Sequence, residues 1–152
     1  MKSNLLALLL LFSGPALAAT IAGKVVQVVD GDTIVVRQNG VDHRIRMLGI
    51  DAPEYRQPYG KDAHRALERR IGGKWVRVRY DEKDRYHRYL GTVYYRNANI
   101  NVSLLRDGQA WVYKYQRGDQ ELMRHENAAR RERLGLWRLP DPQAPWIYRR
   151  TR

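Results

Sequence analysis

Two tight turns near the start of the chain limit how its first segments can fold. β-branched residues are dense over Ile21–Val29, Asp30-Gly31-Asp32 interrupts them, and a second such run follows at Thr33–Val36. Asn39-Gly40 is the strongest hairpin signal in the sequence, and it joins this second run to Val41–Ile50. Three antiparallel strands in succession are therefore predicted.

The rest of the chain adds helices and two more strands. Alternation and helix-forming composition predict a helix over residues 61–70, strands at Lys74–Tyr80 and Leu90–Tyr95, and helices at Val102–Arg106 and from Asp119 to about Arg133. Gly72-Gly73 ends the first helix, and Asn101 is the expected N-cap of the second. We expect an α+β chain, in which a five-stranded OB-type antiparallel β-barrel carries three packed α-helices.

The first residues predict a secretory signal peptide over residues 1–18. Met1-Lys2 is followed by an apolar run, Leu5–Phe12, and then by a small-residue cleavage pattern at residues 14–19. A retained membrane anchor is the alternative, but the run lacks the roughly 20 apolar residues that a span needs. We therefore expect an exported protein, periplasmic or secreted, with no stable membrane span. Because the chain has no cysteine, no disulfide partner is expected.

The charge of the chain indicates a polyanionic partner. The formal net charge is +12, and clustered Lys and Arg bind phosphate backbones by releasing counterions. Residues 140–152 form a basic tail rich in proline and arginine, which is either loose or ordered on contact. A basic cell-wall or membrane-surface protein would also use such a tail, but it would not explain the acidic residues described next.

Three carboxylates and one arginine stand at the ends of neighbouring predicted strands. Asp32 lies in the first turn, Arg46 lies within the third strand, and Asp51 and Glu54 follow that strand. In a chain this basic, clustered acids indicate a cation site or a proton acceptor. A basic protein with an acidic pocket suggests phosphate chemistry.

Four sequence blocks in order and spacing resemble the staphylococcal nuclease (thermonuclease) family. They are Asp30-Gly31-Asp32-Thr33, Arg46 to Glu54, Asp84 to Arg88, and Gly108-Gln109-Ala110. The resemblance extends from about Ile21 to Trp137, and it implies that residues 19–139 form a nuclease-like OB-barrel domain. A single Asp-Gly-Asp-Thr would mean little, because it is an ordinary turn sequence.

The resemblance implies a calcium site. Asp32 and Asp51 match the two calcium-binding carboxylates of the family, and Ala52 stands where a backbone carbonyl, normally that of a threonine, is the third ligand. Two aspartates, one carbonyl, waters and a phosphate oxygen suit the flexible coordination of Ca²⁺. With no cysteine and no paired histidines, a zinc or copper site is not expected.

The resemblance also assigns catalytic and substrate-binding residues. Glu54 matches the glutamate assigned as general base, and Arg46 and Arg88 match two arginines on the phosphate. Tyr86 matches a tyrosine near the terminal phosphate of a bound nucleotide, Arg85 replaces a lysine, and either Tyr113 or Tyr115 corresponds to a tyrosine that packs against the base. The substrate-binding candidates are therefore Arg85, Tyr86, Tyr113 and Tyr115.

Together these features predict an exported calcium-dependent nuclease. It would hydrolyse phosphodiester bonds of DNA, RNA or both by metal-assisted in-line attack of water, and we expect it to act as a monomer. The alternative is a non-catalytic OB-type barrel that binds single-stranded nucleic acid. Glu54 favours the enzyme, because a carboxylate beside the phosphate would repel the ligand of a pure binding protein.

Overall fold

The computed structural model describes residues 19–151, and the predicted signal peptide lies outside these residues. The strands of the described part are β1 (Ala19–Val28), β2 (Thr33–Gln38), β3 (Val41–Met47), β4 (Ile50–Asp51), β5 (Trp75–Lys83), β6 (Tyr89–Tyr95), β7 (Ala98–Asn99) and β8 (Trp111–Val112). The helices are α1 (Gly60–Ile71), α2 (Ile100–Arg106), α3 (Gln120–Arg131) and α4 (Pro145–Tyr148). None of these helices is long and apolar enough to cross a membrane.

The five long strands close into a barrel. β1 pairs antiparallel with β2 and β5, β2 pairs with β3, and β5 pairs with β6. The barrel closes where β3 and β6 run side by side, with Ile45 opposite Tyr89 and Met47 opposite Gly91. This closing pair is parallel, because α1 and the β5–β6 hairpin return the chain in the direction of β3. The predicted OB-type barrel is confirmed, and its sheet is mixed rather than wholly antiparallel.

Alternate residues of the strands fill the barrel. Their side chains form one buried cluster with the inner faces of α1 and α2, and removal of this apolar surface from water is the main stabilising contribution. The barrel and helix side chains in this cluster include Ile21, Val25, Ile34, Val36, Ile45, Met47, Leu67, Ile71, Val76, Val78, Val93, Leu104 and Leu105.

The three predicted helices are present, but the predicted cap of α2 is wrong. The side chain of Asn99, not of Asn101, accepts a hydrogen bond from the Val102 amide at 3.2 Å. Asn101 is buried two residues further on, and its amide group donates to the Leu48 and Gly91 carbonyl oxygens at 2.8 and 3.1 Å. Its side-chain oxygen accepts from the Val93 amide, so Asn101 links α2 to both strands at the barrel closure.

A second apolar cluster lies under the C-terminal part of the chain. Its buried members are Trp111, Ala129, Leu136, Trp137 and Ala144, and Trp146 of α4 packs against it. The Trp111 and Trp146 ring centroids are 5.7 Å apart in an edge-on arrangement. The described part of the basic tail is therefore packed on the domain.

Candidate active site

The turn between β1 and β2 places Asp32 against the end of β3. The Asp32 amide donates to the Asp30 side chain at 3.0 Å, so Asp30 acts as a turn former. The Asp32 carbonyl oxygen accepts from the Met47 amide at 2.9 Å. Asp32 is thus held beside Arg46 and the β3–β4 turn by backbone hydrogen bonds.

Arg46 joins the two aspartates that the sequence predicted as metal ligands. Its Nη2 lies 3.1 Å from Asp51 Oδ1 and 3.3 Å from Asp32 Oδ2. Its Nη1 donates to the carbonyl oxygens of Met47 and Ile50 at 2.9 and 3.0 Å, which fixes the plane of the guanidinium. Because Asp32 and Asp51 are both buried, this arrangement places two charged carboxylates beside one cation in a poorly hydrated environment.

The two buried aspartates are under-compensated. Burial raises the pKa of Asp32 to about 7, although Arg46 and the Ala52 amide, which donates at 2.6 Å, both oppose the shift. Burial also raises the pKa of Asp51, against the effect of its hydrogen bonds with Arg149. A divalent cation would stabilise the charged form of both carboxylates, so these hard oxygen donors fit the predicted site at Asp32, Asp51 and Ala52.

The protein supplies few side-chain ligands for such a cation. Within residues 19–151 no group of three or more His, Cys, Asp or Glu side chains is arranged to hold a metal ion. Two carboxylates and one carbonyl leave several coordination positions for waters and substrate oxygens, which is an arrangement that Ca²⁺ and Mg²⁺ accept and that a structural zinc site does not.

Glu54 lies at the open side of the same cluster. Its backbone amide donates to Gln57 Oε1 at 3.0 Å, and the Gln57 side-chain amide donates to the Gln143 carbonyl oxygen at 2.6 Å. Gln57 is buried, and it ties the loop that carries Glu54 to the C-terminal tail. The Glu54 side chain itself is 40% exposed, so water can reach its carboxylate.

An arginine that the sequence did not single out contacts both Asp51 and Glu54. Arg149 follows α4 directly, and its Nη1 and Nη2 lie 3.1 and 2.7 Å from the two carboxylate oxygens of Asp51. The same Nη1 lies 2.7 Å from Glu54 Oε1. These hydrogen bonds, first with Asp51 and then with Glu54, raise the pKa of Arg149. The one available sequence signal was the apolar segment Pro145–Tyr148, whose aromatic residues need a surface to pack on.

Arg88 is placed differently from Arg46. Its Nε and Nη2 each lie 2.7 Å from Asp84 Oδ2, and its backbone amide donates to the same carboxylate at 3.0 Å. Hydrogen bonds from Arg88 and Tyr86 outweigh burial and lower the pKa of Asp84. His87 has a φ of 61°, a left-handed conformation that suits glycine better than a residue with a side chain. Among the hydrogen bonds and ion pairs of residues 19–151, none joins Arg88 to Asp51 or Glu54.

The four predicted substrate-binding residues form two separate groups. In the β5–β6 turn, the guanidinium carbon of Arg85 lies 4.9 Å from the centre of the Tyr86 ring, and Tyr86 is 62% exposed. After β8, the Tyr113 and Tyr115 rings pack edge-on at 5.4 Å. The Tyr113 amide donates to the Gly49 carbonyl oxygen at 2.9 Å, so this residue is fixed beside the β3–β4 turn, while Tyr115 is 75% exposed.

A second set of acid–arginine contacts lies around Glu126, which is completely buried. Glu126 Oε1 accepts from Arg130 Nη2 at 2.7 Å and from Arg117 at 3.2 Å, and Oε2 accepts from the Val112 amide at 2.5 Å. The Arg130 guanidinium also lies 3.9 Å from the centre of the Trp137 ring. Because Val112 pairs with Ile50, this cluster supports the strand that carries Asp51.

Comparison with known proteins identifies the family. Residues 44–139 match the family model described as staphylococcal nuclease homologue. A protein of Escherichia coli O157:H7 described as an uncharacterized endonuclease is 43% identical over 150 residues, 98% of each chain. A micrococcal nuclease of Shigella flexneri is 40% identical over 156 residues, 95% of this chain and 89% of the relative. A staphylococcal-like nuclease of Arabidopsis thaliana is 39% identical over 109 residues, 72% of this chain and 34% of the relative.

Fold, site and matches together define the class of the chain as a phosphodiesterase or endonuclease-type hydrolase. The chain belongs to the staphylococcal nuclease family, as its four sequence blocks predicted.

Proposed function

We propose that the protein is an exported, calcium-dependent nuclease that hydrolyses phosphodiester bonds of DNA, RNA or both. The observation that carries the proposal is the convergence of Asp32, Arg46, Asp51 and Glu54 within hydrogen-bonding distance of shared partners. The names of the relatives, nuclease or endonuclease, support the same chemistry. The net charge of +12 supports a nucleic-acid substrate.

In this mechanism Arg46 binds and orients the phosphate. Its guanidinium is permanently charged, and it would exchange its hydrogen bonds with Asp32 and Asp51 for hydrogen bonds to phosphate oxygens, where negative charge accumulates in the transition state. Loss of one such donor commonly lowers the rate by about 10²- to 10³-fold in related charge-stabilising sites. A calcium ion held by Asp32, Asp51 and the Ala52 carbonyl would add Lewis-acid stabilisation of the same charge.

Glu54 acts as the general base. Its exposed carboxylate takes a proton from a water molecule while the water oxygen bonds to phosphorus and the bond to the leaving sugar oxygen breaks. The leaving oxygen takes its proton from solvent. Pro53 and the hydrogen bond from the Glu54 amide to Gln57 restrict the backbone, which favours one position of the carboxylate.

The sequence also supports proposals about where the enzyme acts and which further residues contact its substrate. The proposal includes export to a periplasm or out of the cell, because residues 1–18 have the pattern of a secretory signal. It also includes a monomeric active form, Arg88 as the second catalytic arginine on the phosphate, and Arg85, Tyr86 and one of the two tyrosines after β8 as contacts of the bound nucleic acid.

The test is cleavage of a labelled single-stranded DNA and a labelled RNA by the purified protein, with calcium and then with a chelator. We expect calcium-dependent cleavage that the chelator stops. Binding without cleavage in calcium, magnesium and manganese would contradict the proposal and favour the non-catalytic barrel.

A further inference from the structure

The C-terminal segment packs on the domain and places Arg149 against the acidic cluster, which consists of Asp32, Asp51 and Glu54. Pro145 is buried, Trp146 packs on Trp111, and the Gln143 carbonyl oxygen accepts from Gln57. Arg149 lies 98 residues after Asp51 and 95 after Glu54 along the chain. The segment that carries Arg149 is therefore held on the domain by its own packing and hydrogen-bonding contacts.

The contacts of Arg149 have the geometry of a clamp. Two parallel hydrogen bonds run to the two oxygens of Asp51, and Nη1 also donates to Glu54 Oε1. A planar guanidinium fixes the relative orientation of the carboxylates that it bridges, which a lysine ammonium does not do. Asp51 is 1% exposed, whereas the Arg149 side chain is 43% exposed and faces the open side of the site.

Arg149, and not Arg88, is the second guanidinium that contacts the acidic cluster in this structure. The resemblance assigned two arginines to the site, Arg46 and Arg88, but the guanidinium of Arg88 is paired with Asp84. Among the described residues, the guanidiniums that contact the acidic cluster are those of Arg46 and Arg149.

We propose that Arg149 is a positioning residue of the active site, which holds the Glu54 carboxylate at a fixed place relative to Asp51. The proposal rests on the phosphodiesterase function above, because the fixed carboxylate is the one that receives the proton of the attacking water. Displacement of such a group by about 1 Å can lower a rate by about 10²-fold without weakening substrate binding. The positive charge of Arg149 also opposes binding of a cation at the same carboxylates.

The experiment compares the wild type with Arg149→Ala, Arg149→Lys and Arg150→Ala. Arg150 is exposed, adjacent in sequence and outside the cluster, so its variant is a control matched in charge and position. The measurements are kcat and KM on a fluorescein-labelled single-stranded DNA, thermal unfolding, and calorimetric titration of the nucleic-acid-free protein with calcium chloride.

We expect Arg149→Ala to lower kcat by about 10- to 100-fold while KM changes by less than about threefold. The lysine variant should recover part of kcat, because an ammonium reaches one carboxylate at a time. Calcium affinity should rise by about threefold to tenfold in Arg149→Ala, since a like charge is removed from beside the site. Arg150→Ala should match the wild type within about twofold in kcat and in calcium affinity.

Several results would overturn the proposal. Unchanged or increased kcat in Arg149→Ala would mean that the contact is idle or inhibitory. A matching loss in Arg150→Ala would mean that the tail contributes only charge, and unchanged calcium affinity in Arg149→Ala would remove the coupling to the carboxylates. A wild type that neither cleaves nucleic acid nor binds calcium would contradict the proposed function as well. If the wild type is active and Arg149→Ala behaves like it, only this inference is contradicted.

Discussion

Within residues 19–151, buried carboxylates lie beside arginines in two places, and the two clusters differ in how fully the acids are paired. Around Glu126 one carboxylate meets two guanidiniums and a backbone amide. Around Asp51 three carboxylates, of Asp32, Asp51 and Glu54, meet the guanidiniums of Arg46 and Arg149. The first cluster has an excess of positive charge, while the second retains an excess of negative charge.

The difference separates a structural cluster from a chemical one. Glu126 is sealed beneath Arg130, which also lies over Trp111 and Trp137, so its hydrogen bonds fix the position of β8. The acids around Asp51 are reached from solvent through Glu54 and Arg149. A buried acid with too little compensation reduces stability, and such sites are common where a protein binds ions or moves protons. Changes in the two clusters should therefore have different kinds of effect.

The largest effect is expected from Glu54→Gln. Removal of the base should lower kcat by at least about 10²-fold, while the free energy of unfolding changes by less than about 1 kcal/mol, because the side chain is partly exposed and its ion pair with Arg149 is screened by solvent. Nucleic-acid binding should stay intact or become stronger. The measurements are cleavage rates, binding of labelled DNA and urea unfolding. Unchanged cleavage would remove Glu54 from the mechanism and weaken the contrast between the clusters.

The opposite pattern is expected from Glu126→Gln. Loss of the buried charge leaves Arg117 and Arg130 partly unpaired, so the free energy of unfolding should fall by about 2 to 3 kcal/mol. Cleavage measured well below the unfolding transition should stay within about threefold of the wild type. Glu132→Gln, on the exposed end of the same helix, is the control and should shift stability by less than about 0.5 kcal/mol. A stability loss equal to that of the control would show that Glu126 is not a structural anchor.

Asp32→Asn is expected to have the smallest effect of the three variants. It should raise the free energy of unfolding in chelator, whereas Glu126→Gln should lower the free energy of unfolding. Burial raises the pKa of Asp32 from 3.8 to about 7, so its charged form at neutral pH destabilises the folded state when no cation is bound. Removal of the charge should raise the free energy of unfolding in chelator by about 1 kcal/mol. The stabilisation that calcium adds to the wild type should disappear. Denaturant unfolding with and without calcium tests both points, and a destabilised variant in chelator would contradict the comparison.

Local sequence patterns predicted most of the barrel and half of the candidate site. Asp32 lies in the turn before β2, and Arg46 and Asp51 lie on β3 and β4, which follow through tight turns, so their meeting at one end of the barrel follows from short-range pairing. The parallel closure between β3 and β6 joins segments far apart in sequence, and no turn signal encodes its direction.

The other half of the site depends on long-range packing that no local pattern reveals. Arg149 reaches Asp51 only because Trp146 and Gln143 dock on surfaces formed by Trp111 and Gln57. The misplaced cap has a similar origin, because Asn99 and Asn101 are equally good caps by composition. The barrel needs the Asn101 amide for unpaired backbone groups at its closure, and this need is visible only once β3 and β6 are in place.

The closure of the barrel also provides a way to measure local opening beside the site. β3 and β6 meet through three residue pairs, and Arg46 is the middle residue of the three on β3. The Leu48 amide donates across this seam to the Gly91 carbonyl oxygen at 2.8 Å. Deuterium uptake at that amide requires the seam to part, whereas Arg46 stays joined to the Asp32 turn through the β2–β3 pairing and the hydrogen bond from the Met47 amide. Exchange at the Leu48 amide would therefore report the opening of the barrel beside the site, separately from the pairing of Arg46 with Asp32.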